Sequence, residues 1–144
     1  MESLKKIKVR AVLVDENDYM ALMYLPKFEF NNYNDYYMLP GGSIEANEDL
    51  EKALEREMLE ETGCRINIIK ELTHTVEERG YDNSTIITHY YLAKVTGEKG
   101  QHQMTELENE YKTELQWHSL EKALDIIANQ APGAVSEAIK DMCK

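Results

Sequence analysis

The chain has 144 residues, 42% hydrophobic and 30% charged, which suits one domain spanning 1–144 and leaves too little sequence for two comfortable ones. No apolar run approaches the roughly 20 residues that a bilayer-spanning helix needs. The formal charge of −11 repels polyanions, so neither a membrane nor a nucleic-acid polymer is an expected partner. A small anionic substrate stays compatible with that charge if placed Arg or Lys side chains or bound metal ions offset it locally.

In chain order, "MESLKKIKVRAVLV" sets basic residues before apolar ones, but Arg10 interrupts the run. Alternation over residues 6–14 predicts a strand rather than a signal peptide, and a cytoplasmic location is expected. "DEND" supplies turn residues and "YMALMYL" at 19–25 resumes a strand, which together predict a hairpin. "PKFEFNNYNDYY" lacks a steady period and reads as a surface loop leading to a short strand at 36–39. A helix follows over 48–62, with Asn47 as its N-cap and Gly63 as a left-handed C-terminal residue. Strands at about 65–78 and 84–95 flank "RGYDNS", and an acidic loop runs from Thr96 to about Tyr111. "TELQWHSL" predicts a last strand, "LEKALDIIANQ" a helix, and "PGAVSEAIKDMC" a second helix begun by Pro132. Cys64 and Cys143 stand apart from any metal-like grouping and fit a reducing compartment. His74, His89, His102 and His118 are scattered and do not suggest a ligand set. Strands interspersed with helices, without internal repeats, predict a mixed sheet covered by helices.

The helix poses a physical problem. At about 100° per residue, Leu50, Ala53, Leu54 and Met58 form the core-facing stripe. Glu57 and Glu61 fall inside it, Glu60 lies at its edge, and Glu51, Lys52 and Glu55 point to solvent. Glu57 and Glu61 are i,i+4 neighbours, a spacing at which like charges cost roughly 0.2–0.5 kcal/mol on an isolated helix. Partly buried they cost more, unless protonated, paired with cations or bound to metal. Carboxylates one turn apart suit Mg²⁺ or Mn²⁺, which prefer oxygen ligands and keep positions for water and phosphate. The adjacent glycines of "LPGGSIEAN" permit close backbone approach just before this helix.

These residues resemble the signature of the Nudix hydrolases, G-x5-E-x7-R-E-U-x-E-E-x-G-U with U aliphatic. Gly42, Glu48, Arg56, Glu57, Glu60, Glu61 and Gly63 occupy its fixed positions. Met58 and Cys64 stand at the two U positions, a packing adjustment. Asn47 replaces a frequent glycine and, as an asparagine, tolerates the left-handed conformation. The resemblance implies an α/β protein, an α/β/α sandwich with a mixed β-sheet. It also implies metal-dependent cleavage of the diphosphate linkage in a nucleoside diphosphate joined to X: a nucleoside triphosphate, dinucleoside polyphosphate or nucleotide sugar. A nucleotide-binding regulator without hydrolysis is the alternative, although such modules often lose motif glutamates and none is lost here.

By position, the resemblance assigns Mg²⁺ or Mn²⁺ to Glu57, Glu60 and Glu61, with the carbonyl of Gly41 or Gly42 completing the coordination. It gives Glu48 and Arg56 an orienting role through charge-assisted hydrogen bonds. The general base is either Glu57 or a later glutamate; of Glu106, Glu108 and Glu110, Glu110 best fits the family's spacing to Trp117. Tyr37 and Tyr81 are candidates to stack on a base, and Arg10, Lys27 and Arg79 to meet phosphates. Tyr81 resembles a tyrosine that the family associates with dinucleoside polyphosphates, no proline stands where ADP-ribose enzymes carry one, and no coenzyme A signature lies upstream. A homodimer and a monomer are both left open.

Overall fold

Period-two alternation in the first strand sets the layers. The computed structural model describes residues 4–25, 36–100, 113–128 and 130–143. The strands are β1 (Leu4–Val14), β2 (Tyr19–Leu25), β3 (Tyr36–Met38), β4 (Gly41–Ser43), β5 (Arg65–Arg79), β6 (Ser84–Thr96) and β7 (Glu114–Ser119). The helices are α1 (Leu50–Thr62), α2 (Leu120–Ile127) and α3 (Gly133–Met142). Val9, Ala11 and Leu13 turn to one face of β1 and pack with Ala53, Leu54 and Met58 of α1. Val12 and Val14 turn to the other and pack with Leu120, Ala123 and Ile127 of α2 and Val135 and Ile139 of α3. Each face of the sheet thereby buries its own core, giving the helix–sheet–helix layering expected of an α/β sandwich.

The sheet is mixed. β1 runs parallel to β6 along its whole length, Leu4 beside Ser84 to Val14 beside Lys94, and β6 pairs antiparallel with β5. The other edge of β1 meets β4 at Lys8–Arg10. β2 pairs antiparallel with β3 and β7. The β1–β2 hairpin is much slighter than its sequence suggested: the strands share the register pair Val14–Met20. β4 takes the β1 edge that a longer hairpin would occupy, so the glycine pair of "LPGGSIEAN" lies in a strand.

The helix after β4 begins later than the spacing indicated. Asp49, not Asn47, is its N-cap: its side chain accepts from the Lys52 amide at 2.8 Å. Asn47 instead takes the left-handed conformation, φ 66°, as expected where the family favours glycine. Asn47 and Asp49 are both good cap residues, and local chemistry alone does not choose between them. The late start leaves Glu48 outside the helix, free to fold back on the loop. Gly63 closes α1 at φ 70°, its amide donating to the Leu59 carbonyl. Met58 and Cys64, the departures from the aliphatic pattern, are both fully buried, consistent with a packing role. Asp49→Ala should lower the unfolding free energy by about 1 kcal/mol, while Asn47→Gly should leave it unchanged or raise it, since glycine reaches a positive φ freely. Urea denaturation of the two variants checks the boundary, and the opposite ranking would restore Asn47 as the cap.

Candidate active site

α1 is an acidic helix with its stripe in the expected phase. Ala53, Leu54 and Met58 are fully buried, and among them Glu57 and Glu61 are only 8% and 7% exposed. Glu60 is half-exposed at the rim, and Glu51, Lys52 and Glu55 face solvent. Packing of the apolar stripe on β1 thus carries two carboxylates under the edge strand β4.

Arg56 organises the acids around one guanidinium. Its Nε and Nη2 donate to the two carboxylate oxygens of Glu48 at 2.8 and 3.0 Å, a bidentate fork. Nη1 donates to Glu57 at 3.0 Å and to Glu60 at 3.4 Å, and Nη2 also reaches the Ser43 carbonyl at 3.0 Å. The carboxylate of Glu45 stands 3.9 Å away. Glu48 accepts a further bond from the Glu45 amide at 2.9 Å. The Arg56 hydrogen bonds, then the Glu45 amide, hold the Glu48 carboxyl down at about 2. Reciprocally, the Glu48 bond and the negative charge of Glu57 push the Arg56 pKa up, against the opposing effect of burial.

The two glycines act at different atoms. The Gly41 amide donates to Glu61 Oε2 at 2.9 Å, a buried bond. At Gly41, φ is 154° and a Cβ would collide with the Val9 carbonyl oxygen and the Arg10 Cα. At Gly42 a Cβ would stand 2.6 Å from Glu57 Oε1 and 2.7 Å from both its Cδ and Oε2. Gly42 therefore makes the room that the Glu57 carboxylate fills. Ile44 donates to the Ile7 carbonyl and Ala11 to the Pro40 carbonyl. The two-residue period of an antiparallel ladder then turns the Gly42 amide and carbonyl toward β1, and those of Gly41 away from it.

The structure brings Gly41, Gly42, Glu48, Arg56, Glu57, Glu60 and Glu61 to one place. With Nη1 of Arg56 shared between Glu57 and Glu60, no trio of acid, imidazole or thiol groups among the described residues is gathered tightly enough to hold an ion as it stands. The donor set is nonetheless all oxygen, the ligand type that a hard divalent cation takes. Tyr37 lies on the opposite side of the sheet, lining a cavity with Arg10, Tyr36, Leu39 and Tyr90. Its ring packs at 5.0 Å from that of Tyr24. Arg79 and Tyr81 meet each other at the β5–β6 turn, guanidinium carbon 5.9 Å from the ring centroid. Neither has a contact with the α1 acids among the described residues, and Tyr81 is 82% exposed. Lys27, Glu106, Glu108 and Glu110 lie outside the described residues.

Sequence reasoning missed three partners. The Ser43 carbonyl and the Gly41 amide are backbone groups, invisible to a motif of side chains. Lys99 donates to the buried Asp15 at 2.8 Å with its ammonium 3.6 Å from the centroid of the Trp117 ring; these residues are distant in the chain, and nothing local announces their meeting.

Comparison with known proteins agrees with this architecture. Solved structures similar to the chain include a MutT protein from Methanosarcina mazei Go1, at TM-score 0.63 and 22% identity over 98% of this chain and 94% of that one. A NUDIX hydrolase from Nitrosomonas europaea gives TM-score 0.67 at 18% identity over 96% and 88%. The solution structure of the E. coli ORF135 protein gives 0.60 at 20% over 91% and 96%. A search of curated proteins returns no significant match. The sequence profile of the NUDIX domain matches residues 4–138, and the chain belongs to that family. It is a Nudix hydrolase, an enzyme of phosphoanhydride bonds.

The Arg56–Glu48 fork carries a pH signature. Because the Glu48 carboxyl is held at about 2 against an ordinary 4.5, its contribution to stability is complete above the higher value and is lost as pH falls toward the lower. Unfolding free energy measured across that window should fall less steeply in Glu48→Gln than in the unaltered protein; parallel slopes would remove Glu48 from the fork.

Proposed function

We propose that the protein is a Mg²⁺- or Mn²⁺-dependent pyrophosphohydrolase that cleaves the diphosphate linkage of a nucleoside diphosphate joined to X. The observation that carries the reading is the burial of Glu57 and Glu61 beside a glycine whose missing Cβ admits the Glu57 carboxylate. Buried like charges are held by cations, hydrogen bonds or bound metal, and the groups gathered around Arg56 are oxygen donors of the kind a hard divalent ion takes. Glu57, Glu60 and Glu61 would hold the metal. The Gly41 carbonyl is the better placed of the two glycine carbonyls to join them, since that of Gly42 is engaged in the ladder with β1. A divalent ion there supplies positive charge against the diphosphate and lowers the pKa of an attacking water.

The chain's own groups position the reaction. Arg56 fixes Glu48 and Glu57 relative to the Ser43 backbone, which ties the acidic face of α1 to the end of β4. The Gly41 amide holds Glu61 in one orientation. A carboxylate, Glu57 or Glu110, takes the proton of the water as it attacks phosphorus in line with the leaving oxygen. Cleavage then gives two phosphate-bearing products.

Three variants test this. Glu61→Gln should retain the fold, lose most Mn²⁺ affinity by calorimetry and drop turnover of nucleotide substrates by about 100-fold or more, the order associated with losing a strong electrostatic contact in a reacting site; undiminished turnover would refute its metal role. Gly42→Ala displaces the Glu57 carboxylate and should weaken Mn²⁺ binding while the circular dichroism spectrum is kept. Glu110→Gln separates the two base assignments: a rate that no longer rises with pH on the acid limb assigns the proton to Glu110, and an unaltered profile assigns it to Glu57.

A further inference from the structure

A second charged row on β1 is left unused by the carboxylate cluster. Lys6, Lys8 and Arg10 share the face of β1 opposite α1, the face that further along carries Val12 and Val14 beneath α2 and α3. Across the sheet Lys6 lies beside Ile86, Lys8 beside Thr88 and Arg10 beside Tyr90, while Glu77 and Arg79 flank β6 from β5. Like charges at successive positions on one face repel, and here they do so in a chain whose formal charge is −11.

Lys8 registers the crowding. It is half-buried, and its pKa is pushed down first by burial and then by the charges of Arg10, Arg79 and Lys6. Glu77 pulls the other way, but its Oε2 is engaged by Arg79 Nε at 3.2 Å. Among the described residues, Lys6, Lys8 and Arg10 form no ion pair with a carboxylate. Arg10 is fixed by a 2.8 Å bond from Nη1 to the Leu39 carbonyl at the wall of the Tyr36–Tyr90 cavity.

The row adjoins the candidate active site through β4. Lys8 stands opposite Ser43, and Arg10 opposite Gly41. Ser43 and Gly41 are the residues whose carbonyl and amide engage Arg56 and Glu61. β4, one strand spacing of about 5 Å from β1, is the element the two groups share: the basic row lies on the sheet face away from α1 and the carboxylates lie on its α1 side.

We propose that the Lys6–Lys8–Arg10 row is a subsite for substrate phosphates beyond the cleaved linkage, and that the enzyme prefers nucleotides bearing additional phosphate to nucleotides joined to a neutral X. This rests on the pyrophosphohydrolase reading above. A neutral sugar as X gains nothing from the row, whereas a further phosphate meets cations that form no ion pair with a carboxylate among the described residues.

Inorganic tripolyphosphate, titrated calorimetrically without divalent metal, reads the subsite alone. The Lys6→Gln/Lys8→Gln double variant should bind it about tenfold more weakly than the unaltered protein, as expected for losing charge-assisted contacts. Lys8→Arg, which keeps the charge, should retain affinity, and added KCl should weaken binding. With Mn²⁺, the ratio of kcat/KM for a nucleoside tetraphosphate to that for a nucleotide sugar should fall by a similar factor in the double variant. Equal tripolyphosphate affinity in the folded double variant, or an unchanged ratio, would overturn the subsite. Hydrolysis of no nucleotide by a protein that binds tripolyphosphate through Lys6 and Lys8 would instead sink the pyrophosphohydrolase reading.

Discussion

One guanidinium holds the acidic cluster together. Glu48, Glu57 and Glu60 all bond Arg56, and Glu45 stands just beyond; without that shared cation the carboxylates would repel one another and turn to water. The planar fork matters as much as the charge. Arg56 meets both oxygens of Glu48 and keeps donors for Glu57, Glu60 and the Ser43 carbonyl, whereas a lysine ammonium, a single point of charge, has no such two-pronged edge. Since Ser43 belongs to β4 and Glu48 to the loop before α1, the same side chain joins strand, loop and helix.

That join succeeds because the backbone makes way for it. A side chain at Gly42 would occupy the volume of the Glu57 carboxylate, and one at Gly41 would strike β1. Small residues on β4 therefore let the acidic helix approach the sheet edge closely. The apolar stripe supplies the force: Ala53, Leu54 and Met58 are buried against Val9, Ala11 and Leu13, and burial of such side chains contributes roughly 1.5–3 kcal/mol for each large one. The favourable packing of the stripe offsets the cost of carrying Glu57 and Glu61 out of water. A site of buried acids thus depends on a core assembled by neighbours one turn away.

The opposite face of β1 makes the complementary use of the same strand. Where α2 and α3 pack on it, it carries Val12 and Val14; nearer its start it carries Lys6, Lys8 and Arg10, the last lining a cavity with Ile127 of α2. Negative groups and positive groups end up on two sides of one short edge strand. Such a division of charge suits a ligand that is itself a string of anions, with metal ions balancing one portion and basic side chains another.

Much of this was legible in the residues themselves. The period of "EKALEREMLEETG" placed Glu57 and Glu61 in a core-facing stripe, because helical geometry fixes angular position from spacing alone; Arg56 and Glu48 were named by the resemblance to the family signature. The sequence by itself also determined the principal strands and helices and the left-handed turn at Gly63. Tertiary structure decided what depends on partners remote in the chain: that the glycine pair pairs with β1 as a strand, that Asp49 rather than Asn47 caps the helix, and that Lys8 and Arg10 stand beside Ser43 and Gly41. Local propensity describes a residue's own backbone and near neighbours. Strand register and the destination of a backbone amide are settled only when distant segments compete for the same edge.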